Sequence, residues 1–154
     1  MAFWLMKSEP DTFSIDDLKR KQREHWDGVR NYQARNYLRA MKRGDQAFFY
    51  HSSCAVPGIA GIAKITREAF ADPTQFDPAS DYHDPRSDPE DPRWTAVEVA
   101  YVRHTKRVIT LTELKSLPAL VEMPLIQRGA RLSVMPVTED EWQTILAQER
   151  VKVP

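Results

Sequence analysis

The sequence predicts an α+β protein: one domain, residues 1–154, built on a small curved sheet or barrel with helices at its periphery. Three observations lead there. The length of 154 residues suits about one domain with a core of its own. About six short runs have the apolar or alternating character of strands, and helical segments lie between them. No internal repeat or composition shift marks a second domain.

In chain order, residues 2–7 read as a buried strand: short, apolar, aromatic, and stopped by Ser8-Glu9-Pro10. Ser14 caps a helix over 15–21, with Asp17 completing a capping pattern. An irregular loop over 26–36 leads into a helix over 34–42, which Gly44 ends in a left-handed conformation. Residues 46–51 form a strand, 52–57 a turn, and 59–66 a second strand. Gly61 and Ala63 in that strand leave room for another backbone or a ligand. Five prolines punctuate a loop over 72–93. A loop of that length inside a compact domain is usually functional or disordered, and Phe76 and Tyr82 favour order. Residues 94–105 alternate cleanly as a strand, which 108–109 continue. A short helix follows over 112–117, then a mixed segment over 120–126 in which Pro124 starts a helical turn. Residues 131–134 form a last strand, closed by Pro136. Thr138 caps a final helix with acids in its first turn, where the helix dipole favours them.

The formal net charge is zero. That excludes a protein that coats nucleic acid by bulk charge, which needs many phosphate contacts. The zero hides an asymmetry. Residues 19–43 hold nine Lys or Arg and two acids; residues 68–92 hold eight acids and one Arg. Either both segments are simply solvated, or the surface is bipolar and its basic lobe meets phosphate. One cysteine, Cys54, excludes an internal disulfide and a Cys-rich zinc site, and fits a reducing compartment. The N-terminal apolar run is too short for a signal peptide, and no stretch is long enough to span a membrane. The expectation is a soluble, intracellular protein, taken as a monomer.

The stretch Trp26-Asp27-Gly28-Val29-Arg30-Asn31-Tyr32-Gln33-Ala34-Arg35-Asn36 carries the functional signal. Rings stack on flat faces, amides read hydrogen-bonding edges, and guanidinium groups hold phosphates or ring faces. Their density in eleven residues reads as a recognition loop for one base or nucleotide. Other chemistries lack their patterns. No nucleophile elbow accompanies Ser8, His51, Ser52 or Asp27, so no catalytic residue is assigned. The four histidines lie far apart and predict no metal site. No Gly-rich loop stands at a strand–helix junction, so no nucleotide cofactor is expected. Trp4 sits inside an apolar strand, where a core role competes with a site role. An enzyme acting on nucleotides and a small-molecule or anion-binding module stand as the alternatives.

These residues resemble a known family. Trp4-Leu5-Met6-Lys7-Ser8-Glu9-Pro10, the 26–36 loop, Phe49-Tyr50-His51-Ser52, Asp84-Pro85-Arg86-Ser87 with Pro92-Arg93-Trp94, and Arg131-Leu132-Ser133-Val134 with Pro136-Val137 look like the EVE domain, in order over nearly the whole chain. The resemblance implies a PUA-like fold, a small mixed β-barrel flanked by helices and related to the YTH domain. It implies a non-catalytic module that binds nucleic acid, DNA or RNA, and holds a modified base such as a modified cytosine. By motif position the base would meet Trp4, Lys7, Ser8, Trp26, Val29, Asn31, Tyr32, His51, Ser52 and Ser133. Arg30, Arg35 and Arg131 would hold phosphates. A complete YTH-style set of three cage aromatics is not found at motif positions, which leaves the identity of the base open.

Overall fold

The computed structural model describes residues 1–129 and 131–151; Ala130 and the last three residues of the predicted 1–154 domain lie outside them. Six strands form one mixed sheet: β1 (Phe3–Ser8), β2 (Arg23–Trp26), β3 (Gln46–His51), β4 (Gly58–Ala71), β5 (Thr95–Thr110) and β6 (Val134–Val137). Their order is β2-β5-β4-β3-β1-β6. Only the β1–β3 pair is parallel, with Ser8 opposite His51; β6 runs antiparallel to β1. Four helices flank the sheet: α1 (Ile15–Lys21), α2 (Tyr32–Ala40), α3 (Leu111–Lys115) and α4 (Glu139–Gln148).

The α+β, PUA-like class is the one the sequence predicts. Helix α2 touches β4, β5 and β6, strands from both halves of the order, so the sheet curls around it. Alternation along β1 and β3 divides the core. Trp4, Met6, Ala47 and Phe49 face inward with Trp26, Val29, Ala34 and Leu38. Leu5, Phe48 and Tyr50 face outward, beneath α3, α4 and two 3₁₀ turns. On that outer face the Trp142 indole stacks on Phe48 at 3.8 Å and on Phe3 at 4.5 Å. Burying side chains of this size stabilises by roughly 1.5–3 kcal/mol each.

Local chemistry sets the helix ends. Ser14 and Asp17 form a reciprocal capping box on α1, as do Thr110 and Glu113 on α3, and Thr138 and Glu141 on α4. Each such cap contributes about 1 kcal/mol. Five expectations shift. Strand β2 lies where the sequence shows no strand signal. Helix α2 begins two residues earlier than expected because Asn31 caps it, and it ends at Met41 rather than near Gly44. Strand β4 runs on to Ala71, past the expected end at 66, and β5 is continuous from Thr95 to Thr110, with bulges along their shared ladder. The last strand is Val134–Val137 and runs through Pro136. A proline is tolerated there because β6 is an edge strand paired only with β1. The space at Gly61 is filled by α1, since a Cβ there would stand 2.5 Å from Ile15 Cδ1.

Candidate nucleic-acid interface

Strand β2 delivers the recognition loop. Trp26, its last residue, pairs with Val97 and turns its ring inward. The indole meets Phe49 edge-on at 5.5 Å, and Phe49 meets the His51 ring at 5.6 Å. Trp26 and Val29 are each only 8% exposed, so both belong to the core as much as to any surface site. Beyond Trp26 the chain reverses at Gly28, whose φ of +78° and whose contact with Tyr82 exclude a side chain; a Cβ would lie 2.8 Å from the ring.

One buried carboxylate fixes this loop. Asp72 is fully buried and accepts from the Gly28 amide at 2.8 Å, Arg30 Nη1 at 3.0 Å, and the Thr74 amide at 2.8 Å. Burial alone pushes its carboxyl up, but the hydrogen bonds from Thr74, Gly28 and Arg30 outweigh that and hold it below the usual carboxylate range. Arg30 also donates to the Tyr82 carbonyl at 2.7 Å, Thr74 Oγ1 at 3.0 Å and the Val29 carbonyl at 2.9 Å. Its guanidinium therefore ties the recognition loop to the proline-rich segment 72–94. That segment is ordered by its own bonds. Gln75 Nε2 donates to the Trp94 carbonyl at 2.9 Å, and the Trp94 indole donates to Asp84 at 2.7 Å.

Three side chains of the loop face outward with unused capacity. Asn31 Oδ1 accepts from the Ala34 amide at 2.9 Å and caps α2, while its Nδ2 donates to no partner among the described residues. Asp27 makes no side-chain hydrogen bond among them. Partial burial of its carboxyl, then the charges of Asp72 and Glu24, raise its pKa. Tyr32 is 52% exposed, stacks on Trp94 at 4.9 Å and carries the Arg35 guanidinium 4.8 Å from its centroid.

The remaining predicted residues divide. Ser8 Oγ donates to the Phe13 carbonyl at 2.5 Å, and the Ser52 amide donates to the Ser8 carbonyl at 3.0 Å. His51 Nε2 accepts from the Ile15 amide at 3.1 Å, so the imidazole is neutral and carries its proton on Nδ1. Burial lowers its pKa further. Ser8 and His51 are thus neighbours held apart in separate structural bonds, not a nucleophile and its base. Trp4 lies elsewhere: its indole donates to buried Asp45 at 3.0 Å. Lys7 points to the other face of the sheet, over the Tyr50 ring at 5.9 Å, where burial lowers its pKa. Ser133 joins β1 through its carbonyl, which accepts from the Lys7 amide at 2.8 Å. Arg131 is exposed.

Two grooves open on the surface. One of about 500 Å³ runs along α2 beside Tyr32, Arg35, Arg39, Arg86 and Arg93. The other, about 570 Å³, lies by Lys7, Tyr50 and Arg128 on the opposite face. Sequence reasoning passed over Asp72 and Arg39, and gave Arg86 and Trp94 no site role although both lie in the family motifs. Arg39 carried a readable signal, since it recurs four residues after Arg35 on one helix face. Among the described residues no three His, Cys, Asp or Glu stand close enough to hold a metal, and no helix is long and apolar enough to cross a membrane.

Comparison with known proteins places this geometry. The EVE domain family model matches residues 2–148. Human thymocyte nuclear protein 1 is 49% identical over 167 residues, covering 96% of this chain and 74% of that protein. A crystal structure of human THYN1 in complex with DNA containing 5-methylcytosine superposes with a TM-score of 0.96 at 47% identity, covering 99% of this chain and all of that one. A Pseudomonas putida protein superposes at 0.95 with 58% identity, covering 96% of this chain and 99% of its own.

Proposed function

The chain belongs to the EVE domain family, and from that premise we propose that it is a non-catalytic module that binds nucleic acid and holds a single modified base, with 5-methylcytosine in DNA as its ligand. The human relative solved with 5-methylcytosine DNA supports the ligand class. The observation that carries the reading is the clamped 26–32 loop, held from behind by Asp72 while the Asp27 carboxylate and the Asn31 amide donors find no partner among the described residues. A site whose supporting bonds are already made loses little freedom on binding.

In this reading the flipped base meets the outward side of the loop, beside Asp27 and Asn31, over the buried rings of Trp26 and Phe49. Cytosine presents an N4 amino donor, which a carboxylate accepts, and Asp27 is the unpaired carboxylate of the loop. The Asn31 amide donates to the base's acceptor atoms. Val29 and the neighbouring rings meet the extra methyl. One methyl's burial is worth about 0.8 kcal/mol, only a few-fold in affinity. Discrimination must also draw on shape and on polar groups left unmet by the wrong base.

Asn31→Ser tests this. A serine oxygen still caps α2, so the melting temperature should hold, but the amide donors are gone. Affinity for a duplex carrying one 5-methylcytosine should fall about tenfold, the cost of one well-placed hydrogen bond in a desolvated site. Unchanged affinity in a folded Asn31→Ser protein would remove Asn31 from the site. Equal wild-type affinity for methylated and unmethylated duplexes would remove the modified base from the function.

A further inference from the structure

The groove along α2 combines four arginines with the half-exposed ring of Tyr32; of the four, Arg93 pairs with Asp84 at 3.6 Å. Arg35, Arg39 and Arg86 have no carboxylate within ion-pair range among the described residues, although an acidic segment lies opposite. Instead, Arg35 Nη1 donates to the Arg93 carbonyl at 3.1 Å, and Arg39 Nε donates to Thr95 Oγ1 at 2.8 Å. These bonds fix the direction of both guanidinium groups and leave donors free. Arg86 makes no side-chain hydrogen bond among the described residues. Two carboxylates also line the groove, Asp88 and Asp91. Asp88 is exposed and accepts from the Glu90 amide at 2.9 Å.

Arg35 and Arg39 stand one helical turn apart, about 6 Å along the axis. Their like charges work against each other: burial and then the Arg39 charge lower the pKa of Arg35. Such crowding costs free energy unless an anion sits between the groups. Planar forks spaced along a line match phosphate oxygens better than they match a single small anion. Tyr32 lines the groove beside the recognition loop and is half-exposed, although Trp94 stacks on its ring and the Arg35 guanidinium lies over it.

We propose that this groove is a phosphate track: Arg35, Arg39 and Arg86 hold successive backbone phosphates of the strand whose base enters the loop. The inference rests on the nucleic-acid reading above. It assigns the backbone term to α2 and to residues 86–93, and leaves Arg30 to the Asp72 clamp.

The test uses Arg86→Glu, which breaks no bond in the structure, and Arg39→Gln as a second variant, in the full chain. Binding is measured against salt with methylated and unmethylated duplexes, and with a short oligonucleotide made entirely of abasic sites. Arg39→Gln should reduce the log–log salt slope by about 1, and Arg86→Glu by at least as much. Both should weaken both duplexes by the same factor, leaving any preference for the methylated one unchanged. The abasic oligonucleotide should shift the amide resonances of Tyr32, Arg86 and Arg93 in wild type. An unchanged slope in both folded variants, or an abasic strand that leaves those resonances in place, would overturn the track. The base reading fails separately: a wild-type protein without methyl preference, whose slope still responds to Arg86, keeps the track and loses the modified base.

Discussion

Asp72 is the residue on which the interface turns. It reaches Gly28 and Arg30 across more than forty positions of sequence, and it does so from full burial. Asp72→Asn keeps the size and removes the charge. It should destabilise by about 1–3 kcal/mol, the range for a charge-assisted buried bond, read as a lower urea midpoint. The same group sets an acid limit. Its folded pKa lies below its unfolded value near 3.9, so its contribution is complete above that value and is lost as pH falls through the folded pKa. Loop 26–32 should detach from segment 72–94 in that window, earlier than global unfolding, as tracked by the Trp94 indole resonance. Loss of both signals together at every pH would contradict a separate clamp. Nothing in the sequence marks Asp72. It begins an acidic, proline-rich run that reads as solvated surface, and burial over so long a separation is a tertiary fact.

At the scale of elements, most of the fold was readable because local chemistry made the decision. Helix α1 falls at residues 15–21 as expected because Ser14 and Asp17 cap it reciprocally. Strand β3 falls at 46–51 because its apolar run is unbroken. What the sequence hid was either irregular or borrowed. The far end of β4, residues 67–71, lies past register shifts against β5, and β2 is a strand only because β5 offers it an edge. The site was legible to a similar depth. The 26–36 loop stood out by composition, yet Lys7 points to the other face of the sheet, since alternation along β1 sends neighbouring side chains to opposite faces, and Trp4, on the same face as Trp26, gives its indole donor to Asp45.

His51 gives this scale its prediction. Its Nε2 receives the first free amide of α1, an interaction open only to the neutral ring. Burial lowers its pKa, with the His104 charge adding to that and Asp16 opposing it. A lowered folded pKa means that the stabilisation is complete above the ordinary histidine value near 6.5 and fades as pH falls through the folded one. Thermal unfolding should therefore show a loss of stability on the acid side of 6.5 that His51→Gln flattens. Nitrogen resonances that place the proton on Nε2 would contradict the assignment.

Across the whole molecule, the opposing charge of segments 19–43 and 68–92 resolves into a division of labour. Arg30 and Asp72 join the two segments through a buried pair. The arginines of α2 have no carboxylate partner among the described residues and line the groove. A protein of zero net charge can thus hold a short stretch of backbone without coating it. The curled sheet sets the loop, the groove and Tyr32 on one side, with the helices α3 and α4 behind the opposite core.

The central claim is that one methylated cytosine leaves its stack and rests against the aromatic floor of the recognition loop. A duplex carrying a single carbon-13-labelled 5-methyl group tests this most directly. On binding, that methyl resonance should move strongly upfield and show cross-relaxation to Val29 and to the Trp26 or Phe49 ring. A methyl that keeps its duplex resonance while the protein is fully bound would mean that the base never left the helix.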